Sequence, residues 1–491
     1  VTNLERLAGS LLCVGFDGES ATAPLVDELR ALAPGGVILF ARNVSTPART
    51  RELIDAIRAE LGDSVVAVDQ EGGRVARFRR EFPASPSAMA VAAAGDPAAA
   101  ELLAFGLANE LQRAGVDLNF APVADLALEP RNTVIGTRAY SDDPGRAASF
   151  VAATVRGLQR GGVGATLKHF PGHGATAADS HLALPVLEVD LARLRSREFV
   201  PFEAGIGAGA RAVLLGHLAV PALDSELPAS LSGRVVATLR DELGFAGVVV
   251  TDCLQMEAIA GGIGTVRGAV LALAAGADLL TISHDLCVAR AVRDAIVAAI
   301  ESGELQKSRL EASAARVAGL RDSAVAPAER LAVGPLAARI ARAAIKLVRG
   351  DAKLPRDRPV NVVSFEGDAG DGVASHSGAD LPLHLALRRR RFQAESLRVA
   401  LSPRHEMLEN LLALVAAQSD RSLVVVMRRA HLHEAQASAI DALLALAPGA
   451  RLVSALEPFD VARFPQAATV LCTYGDDELM IDALADVLAG A

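Results

Sequence analysis

The sequence predicts an α/β protein, a (β/α)8 TIM barrel followed by a smaller α/β three-layer sandwich domain. Three observations predict it. Over about the first 310 residues, eight short β-branched runs alternate with longer Ala-, Leu- and Arg-rich stretches of helical period. Nearly every run stays apolar until its C-terminal end and then turns polar. Beyond a stretch punctuated by Pro327, Pro335 and Pro355, a second and shorter α/β pattern begins.

The eight runs are residues 11–16, 36–40, 65–68, 116–120, 165–168, 212–215, 248–251 and 278–282. Each is followed by a loop and a helical pattern, which calls for a parallel sheet, and eight is the count that closes a barrel. An open doubly wound sheet is the competing arrangement. The polar residues at the strand ends are Asp17, Arg42-Asn43, Asp69-Gln70-Glu71, Asp125, Lys168-His169, His217, Asp252 and Ser283-His284. In a barrel these ends converge on one face, where active sites sit. Capping of the next helix accounts for Asp17 and Ser283, but not for Lys168-His169 or Asp69-Gln70-Glu71.

The second pattern has strand signals at 360–365, 398–401, 422–427, 451–455 and 469–474, with helical stretches at 406–418, 434–446 and 477–488. A five-stranded, mostly parallel sheet between helices is expected. The expected domains are a catalytic barrel over 1–325, a linker over 326–355 and the sandwich over 356–491. Residues 367–380, rich in Gly, Ser and Asp, read as a mobile loop. Arg428, Arg429, His431 and His433 crowd one strand end, in a structural or inter-domain role.

Length and composition set bounds on function. At 491 residues the chain can bury two cores. A net charge of −9 argues against nucleic acid as a partner, and the basic run Arg388 to Arg391 reads as a solvated face. Cys13, Cys253, Cys287 and Cys472 are scattered without a CxxC pair, so neither zinc nor a disulfide framework is indicated. No apolar run approaches the roughly 20 residues of a membrane span, and no signal segment is evident, so a cytoplasmic protein with no membrane partner is expected. There is no GxGxxG or P-loop in the second domain, and no cofactor is expected. With no Trp and two Tyr, any carbohydrate recognition must lean on hydrogen bonds and charge.

The densest chemistry lies in Lys168-His169-Phe170-Pro171-Gly172-His173-Gly174 and, just beyond, Asp179-Ser180-His181. Asp179, two residues from His181, can bond one imidazole nitrogen and leave the other free to exchange a proton. Ser180, between its supposed partners, is a poor nucleophile candidate. His169, His173 and His181 could form a metal site, but Lys168 beside them would repel a cation, and no metal is expected. Asp252 follows an apolar strand. A lone Asp there is usually a cap, yet a carboxylate facing a proton donor across a sugar ring is what glycoside hydrolysis with a covalent intermediate requires. In Asp69-Gln70-Glu71-Gly72-Gly73-Arg74-Val75-Ala76-Arg77 the paired glycines allow a tight turn. Asp69 could accept from vicinal hydroxyls and Arg77 could donate to a ring substituent, or the two could form an internal ion pair.

Val68-Asp-Gln-Glu-Gly-Gly-Arg-Val75, Ile135-Gly-Thr-Arg138, the 168–181 block with Leu182-Ala-Leu-Pro185, and Thr251-Asp252 together resemble glycoside hydrolase family 3. Within it they resemble the bacterial β-N-acetylglucosaminidases, or β-hexosaminidases, that carry the Asp-x-His loop. The resemblance covers residues 1 to about 320; the C-terminal part resembles the family's sandwich domain only loosely and looks shorter. It implies Asp252 as nucleophile, His181 as acid/base and Asp179 as its orienting partner. Asp69, Arg77, Arg138, Lys168 and His169 then match the residues that hold the N-acetylglucosamine ring. The expected function is release of terminal β-linked N-acetylglucosamine, from a small aminosugar glycoside or a muropeptide of peptidoglycan. Two alternatives stay open: a β-N-acetylglucosaminide phosphorylase on the same scaffold, and a non-catalytic aminosugar-binding protein.

Overall fold

A computed structural model of the chain describes residues 2–62, 64–176, 184–321, 331–367 and 382–490. Eight parallel strands close on themselves: β1 (Leu12–Val14), β2 (Gly36–Leu39), β3 (Val65–Val68), β4 (Leu118–Asn119), β5 (Gly164–Phe170), β6 (Ala212–Leu215), β7 (Val248–Cys253) and β8 (Leu279–Ile282). Each pairs with the next in chain order, and β8 pairs with β1, so the open sheet is excluded.

The two-residue period of the strands sorts the core into two shells. Cys13, Ile38, Val65, Ala67, Leu118, Phe120, Ala212, Leu214, Val248, Val250 and Leu279 form one cluster, the barrel interior, closed by Val317 and Leu320. The alternate residues, among them Val37, Val66, Val68, Leu167, Val213, Val249 and Leu280, join a separate cluster with the surrounding helices. Continued by two, the inward rows of β3, β5 and β7 arrive at Asp69, Lys168 and Asp252. The strands therefore deliver these three side chains to the C-terminal mouth.

The second sheet has six strands, where five were expected: β9 (Lys346–Arg349), β10 (Val360–Glu366), β11 (Ala394–Ala400), β12 (Ser422–Met427), β13 (Arg451–Ser454) and β14 (Thr469–Cys472). Their order is β11-β10-β12-β13-β14-β9, all parallel except β9, which runs antiparallel to β14. β9 lies within the segment read as a linker. It is short, and a charged residue stands at each end, which suits an edge strand but leaves almost no apolar signal. The same segment carries the helix Val333–Ala344. Its Val333, Leu336, Ala337 and Ile340 belong to the barrel's outer core, whereas Ala341 and Ala344 belong to a core of the second domain.

In the basic run, Arg388, Arg389 and Arg391 are exposed as expected, whereas Arg390 is half-buried and pairs with Asp482 at 2.9 Å and Asp486 at 2.7 Å on the helix Glu478–Ala489. The loop expected at 367–380 lies, from residue 368, outside the described residues. Among the described residues, no helix is long and apolar enough to cross a membrane, and the four cysteines are free thiols.

Candidate active site

At the barrel mouth, β3 and β5 build a buried charged cluster. Lys168 Nζ lies 2.8 Å from Asp69 Oδ1 and 2.5 Å from Glu71 Oε1. Arg77 approaches the other oxygen of Asp69 at 3.4 Å. Arg138 grips Glu71 at two points, Nε to Oε2 at 2.8 Å and Nη2 to Oε1 at 2.9 Å. The fork of a guanidinium matches a carboxylate in this way, which fixes direction as well as charge. Asp69 and Arg77 thus form the internal ion pair considered above, and both still belong to the cluster at the mouth.

The turn that places Asp69 and Glu71 depends on its glycines. Gly72 and Gly73 have φ of +103° and +55°, and a Cβ on Gly73 would meet Ser87 at 2.8 Å. Gln70 points back, its Oε1 accepting from the amides of Arg77 and Phe78, so the returning chain is tied to the strand end.

His169 is held from below by Asp125, whose Oδ2 lies 2.6 Å from Nδ1. Arg138 Nη2 lies 3.4 Å from Nε2 on the far side of the ring. Asp125 and Arg138 thus hold the ring by its two nitrogens, from opposite sides. Asp125 also accepts from the backbone amides of His169 and His173. It organises the whole turn after β5. His173 is buried at 2% exposure. Its Nδ1 lies 2.8 Å from the Thr176 hydroxyl.

The charges in this cluster hold one another. Burial alone would raise the Glu71 carboxyl, but Arg138 and Lys168 outweigh it and keep it well below the usual range. Asp69 is lowered in the same sense, burial opposing and Lys168 and Arg77 prevailing. In Asp125 burial is overcome chiefly by His169. His173 goes the other way for a histidine: burial, with His169 nearby, depresses it to about 4.

Asp252 stands at the end of β7, partly exposed, with Oδ1 accepting from the Cys253 amide at 2.7 Å. His217, at the end of β6, is fully buried; Nδ1 lies 2.7 Å from the Ser230 hydroxyl and Nε2 lies 2.9 Å from the Cys253 carbonyl. It fixes the backbone immediately after Asp252. Phe40 ends the inward row of β2, with the guanidinium of Arg42 at 4.6 Å and that of Arg77 at 5.6 Å from its ring centre.

Six of the eight residues expected at the site, Asp69, Arg77, Arg138, Lys168, His169 and Asp252, thus lie at the C-terminal ends of the barrel strands or on the loops that follow them. The other two, Asp179 and His181, fall in 177–183, outside the described residues. Sequence reasoning assigned no role to Glu71, Asp125 or His217. Each was visible as a polar residue at or beside a strand end, but its partner lies on another strand, and that pairing is a product of barrel closure. Among the described residues, no group of three His, Cys, Asp or Glu has a metal-holding arrangement.

The comparisons with known proteins agree with the barrel fold. Residues 5–320 match the glycosyl hydrolase family 3 N terminal domain. A β-hexosaminidase of Xylella fastidiosa strain 9a5c is 44% identical over 283 residues, which are 56% of this chain and 83% of that protein. A β-hexosaminidase of Pseudomonas aeruginosa strain LESB58 is 42% identical over 284 residues, 57% of this chain and 83% of that one. A solved family 3 β-N-acetylglucosaminidase from Paenibacillus sp. strain FPU-7 superposes with a TM-score of 0.92 at 34% identity, covering 100% of this chain and 97% of that one. Measured against that relative, the second domain is not shortened, contrary to expectation. With the match to the family spanning the whole barrel, the chain belongs to glycosyl hydrolase family 3.

Proposed function

We propose that this protein is a retaining β-N-acetylhexosaminidase that removes terminal β-linked N-acetylglucosamine through a covalent glycosyl–aspartate intermediate. One observation carries the reading. A buried grip of Asp69, Glu71, Lys168, Arg138 and His169 faces the same barrel mouth as Asp252, in a family 3 chain similar to β-hexosaminidases.

In the proposed reaction Asp252 attacks the anomeric carbon while His181 gives its proton to the departing oxygen. Asp179 accepts from the other ring nitrogen and stabilises the charged form beforehand. Neutral His181 then takes a proton from water, which displaces Asp252 and releases the sugar with its configuration retained. Asp69 accepts from sugar hydroxyls, and Lys168, Arg77, Arg138 and His169 hold the ring and its substituent. Muropeptide fragments of peptidoglycan are the proposed natural substrate. An imidazole acid/base titrates near neutrality, so the rate should fall on both sides of it.

The test is turnover of 4-nitrophenyl glycosides, with and without phosphate. Asp252→Ala should lower kcat for the N-acetyl-β-glucosaminide by about 10⁴-fold or more. Near wild-type turnover in that variant would sink the nucleophile assignment. His181→Ala should lose far less on this activated leaving group than on an alkyl glycoside, because nitrophenolate departs without an acid. A sugar 1-phosphate formed only with phosphate present would replace the hydrolase with a phosphorylase.

A further inference from the structure

The loop that delivers Arg138, residues 126–139, meets the second domain at three points. His431 Nε2 lies 3.0 Å from the Pro130 carbonyl. Arg429 Nη2 donates to the Thr133 carbonyl at 3.1 Å. The Thr137 amide donates to Glu457 Oε1 at 3.2 Å. Arg429 and Glu457 are themselves joined at two points, 2.9 and 2.8 Å, with both side chains under 5% exposed. How close they come is marked by Gly136, whose φ is +42° and where a Cβ would sit 1.9 Å from Glu457 Oε1.

The same loop continues the connection into the site. Asn132 Nδ2 donates to the His173 carbonyl at 2.8 Å, and the Glu129 amide to the Gly174 carbonyl at 3.3 Å. Arg138 then spans from its turn to Glu71 and His169. Nearby, the Ser87 hydroxyl donates to the Tyr474 carbonyl at 2.5 Å, tying down the chain that packs on the Gly72-Gly73 turn.

We infer that the second domain positions the sugar-binding half of the active site, with Arg429 and Glu457 setting the path of the 133–138 turn and so the place of Arg138. The inference deepens the proposed glycosidase reading and rests on it for its kinetic readout. An incidental domain contact would touch side chains of the loop. Here the partners are backbone groups at 130, 133 and 137, which fix the main chain itself. Arg429 and Glu457 are positioning residues. A displacement of about 1 Å in a substrate-orienting group can cost up to ~100-fold in rate.

The experiment uses the full chain with Glu457→Gln, Arg429→Met and, as a comparison, Arg390→Met, which cuts the pairs to Asp482 and Asp486 within the second domain. Glu457→Gln and Arg429→Met should raise KM for 4-nitrophenyl N-acetyl-β-glucosaminide about tenfold or more, with kcat changed less than about threefold. Amide hydrogen exchange over 130–138 should quicken about tenfold or more in the same two variants. Arg390→Met should lower Tm and leave both readouts near wild type. If either variant fails to fold, Glu457→Asp keeps the charge but withdraws it from the turn, and should show the same changes. Wild-type KM together with unchanged exchange in the folded variants would overturn the inference. If the wild-type chain turned over no aminosugar glycoside, the functional reading would fall, and exchange alone would decide: quickened sustains the inference, unchanged overturns it.

Discussion

At the scale of single residues, the site is held by ionisable groups that the fold keeps in one protonation state. His173 is the clearest case. Its imidazole would titrate near 6.5 in the unfolded chain but is held down to about 4 in the fold, by burial and by His169 and Arg138, with Asp125 opposing. Between those values the unfolded chain binds one more proton than the native protein, so stability rises with pH through that window. It is lost as pH falls below about 6.5. From this group alone, stability should drop by about 2 kcal/mol between pH 6.5 and pH 5. Urea unfolding of wild type and His173→Asn at several pH values tests this. The variant should have a flatter profile across the window, and parallel profiles would refute the assignment. The depressed carboxylates Asp69, Glu71 and Asp125 act in a different range. Their contribution is present above the unfolded values of 3.8 and 4.5 and is lost as pH falls through their lower folded values, so they add to acid unfolding at the bottom of His173's window and below it. Glu71 carries a second residue-scale prediction. Glu71→Gln removes the charge shared by Arg138 and Lys168, leaving the buried Arg138 without its carboxylate and Lys168 with Asp69 alone. The expected loss is about 3–5 kcal/mol by denaturant unfolding, and a loss below about 1 kcal/mol would mean the cluster relaxes to let in water.

At the scale of elements, the turn after β5 shows how close packing sets the site. Gly174 has no unusual φ, yet a Cβ there would stand 1.8 Å from the Leu126 carbonyl. Gly174→Ala should force the 172–176 segment away from 126 and stretch the 2.7 Å bond from the His173 amide to Asp125. Overpacking of this kind costs about 1–3 kcal/mol, and kcat/KM should fall with Tm. If both stayed within error of wild type, the contact would not govern the turn. Elements differ in how well the sequence foretells them. The barrel strands were legible because each is an apolar run buried on both faces and bounded by turn residues, and the inward rows could be counted forward to Asp69, Lys168 and Asp252. β9 was not, because an edge strand of four residues with Lys346 and Arg349 at its ends has neither period nor run. β4 is shorter than the run that announces it: its continuous ladder ends at Asn119, and beyond it the chain meets β5 again at the isolated bridge between Val123 and Lys168 before forming the Arg138 loop. For the site, residue types at strand ends were readable one by one. The pairings Glu71–Arg138, Asp125–His169 and His217–Cys253 were not, because they join positions that only the closed barrel brings together.

At the scale of the whole molecule, the question is whether barrel and sandwich behave as one unit. The helix Val333–Ala344 bears on it directly. Along its length the buried face passes from the barrel's outer core, through Leu336 and Ile340, to the second domain's core at Ala341 and Ala344. Ala90, on a barrel-side helix, is in turn part of that second core. This helix, within the segment expected as a linker, is therefore a shared structural element, and neither core is complete without it. Domains joined by a mere linker unfold independently; domains that share a buried helix lose it together. Scanning calorimetry of the full chain should accordingly show one cooperative transition. Ile340→Ala deletes a side chain that is 3% exposed and should cost about 2–5 kcal/mol, lowering that single transition as a whole. Two transitions in wild type, or a variant in which only one of two moves, would show that the shared helix does not couple the domains. Coupling has a kinetic corollary. If the sandwich cannot loosen without the barrel, the loop that carries Arg138 keeps its three anchors for as long as the protein is folded. Thermal loss of activity should then coincide with the calorimetric transition instead of preceding it, and activity lost several degrees earlier would place the weak point at the domain contact.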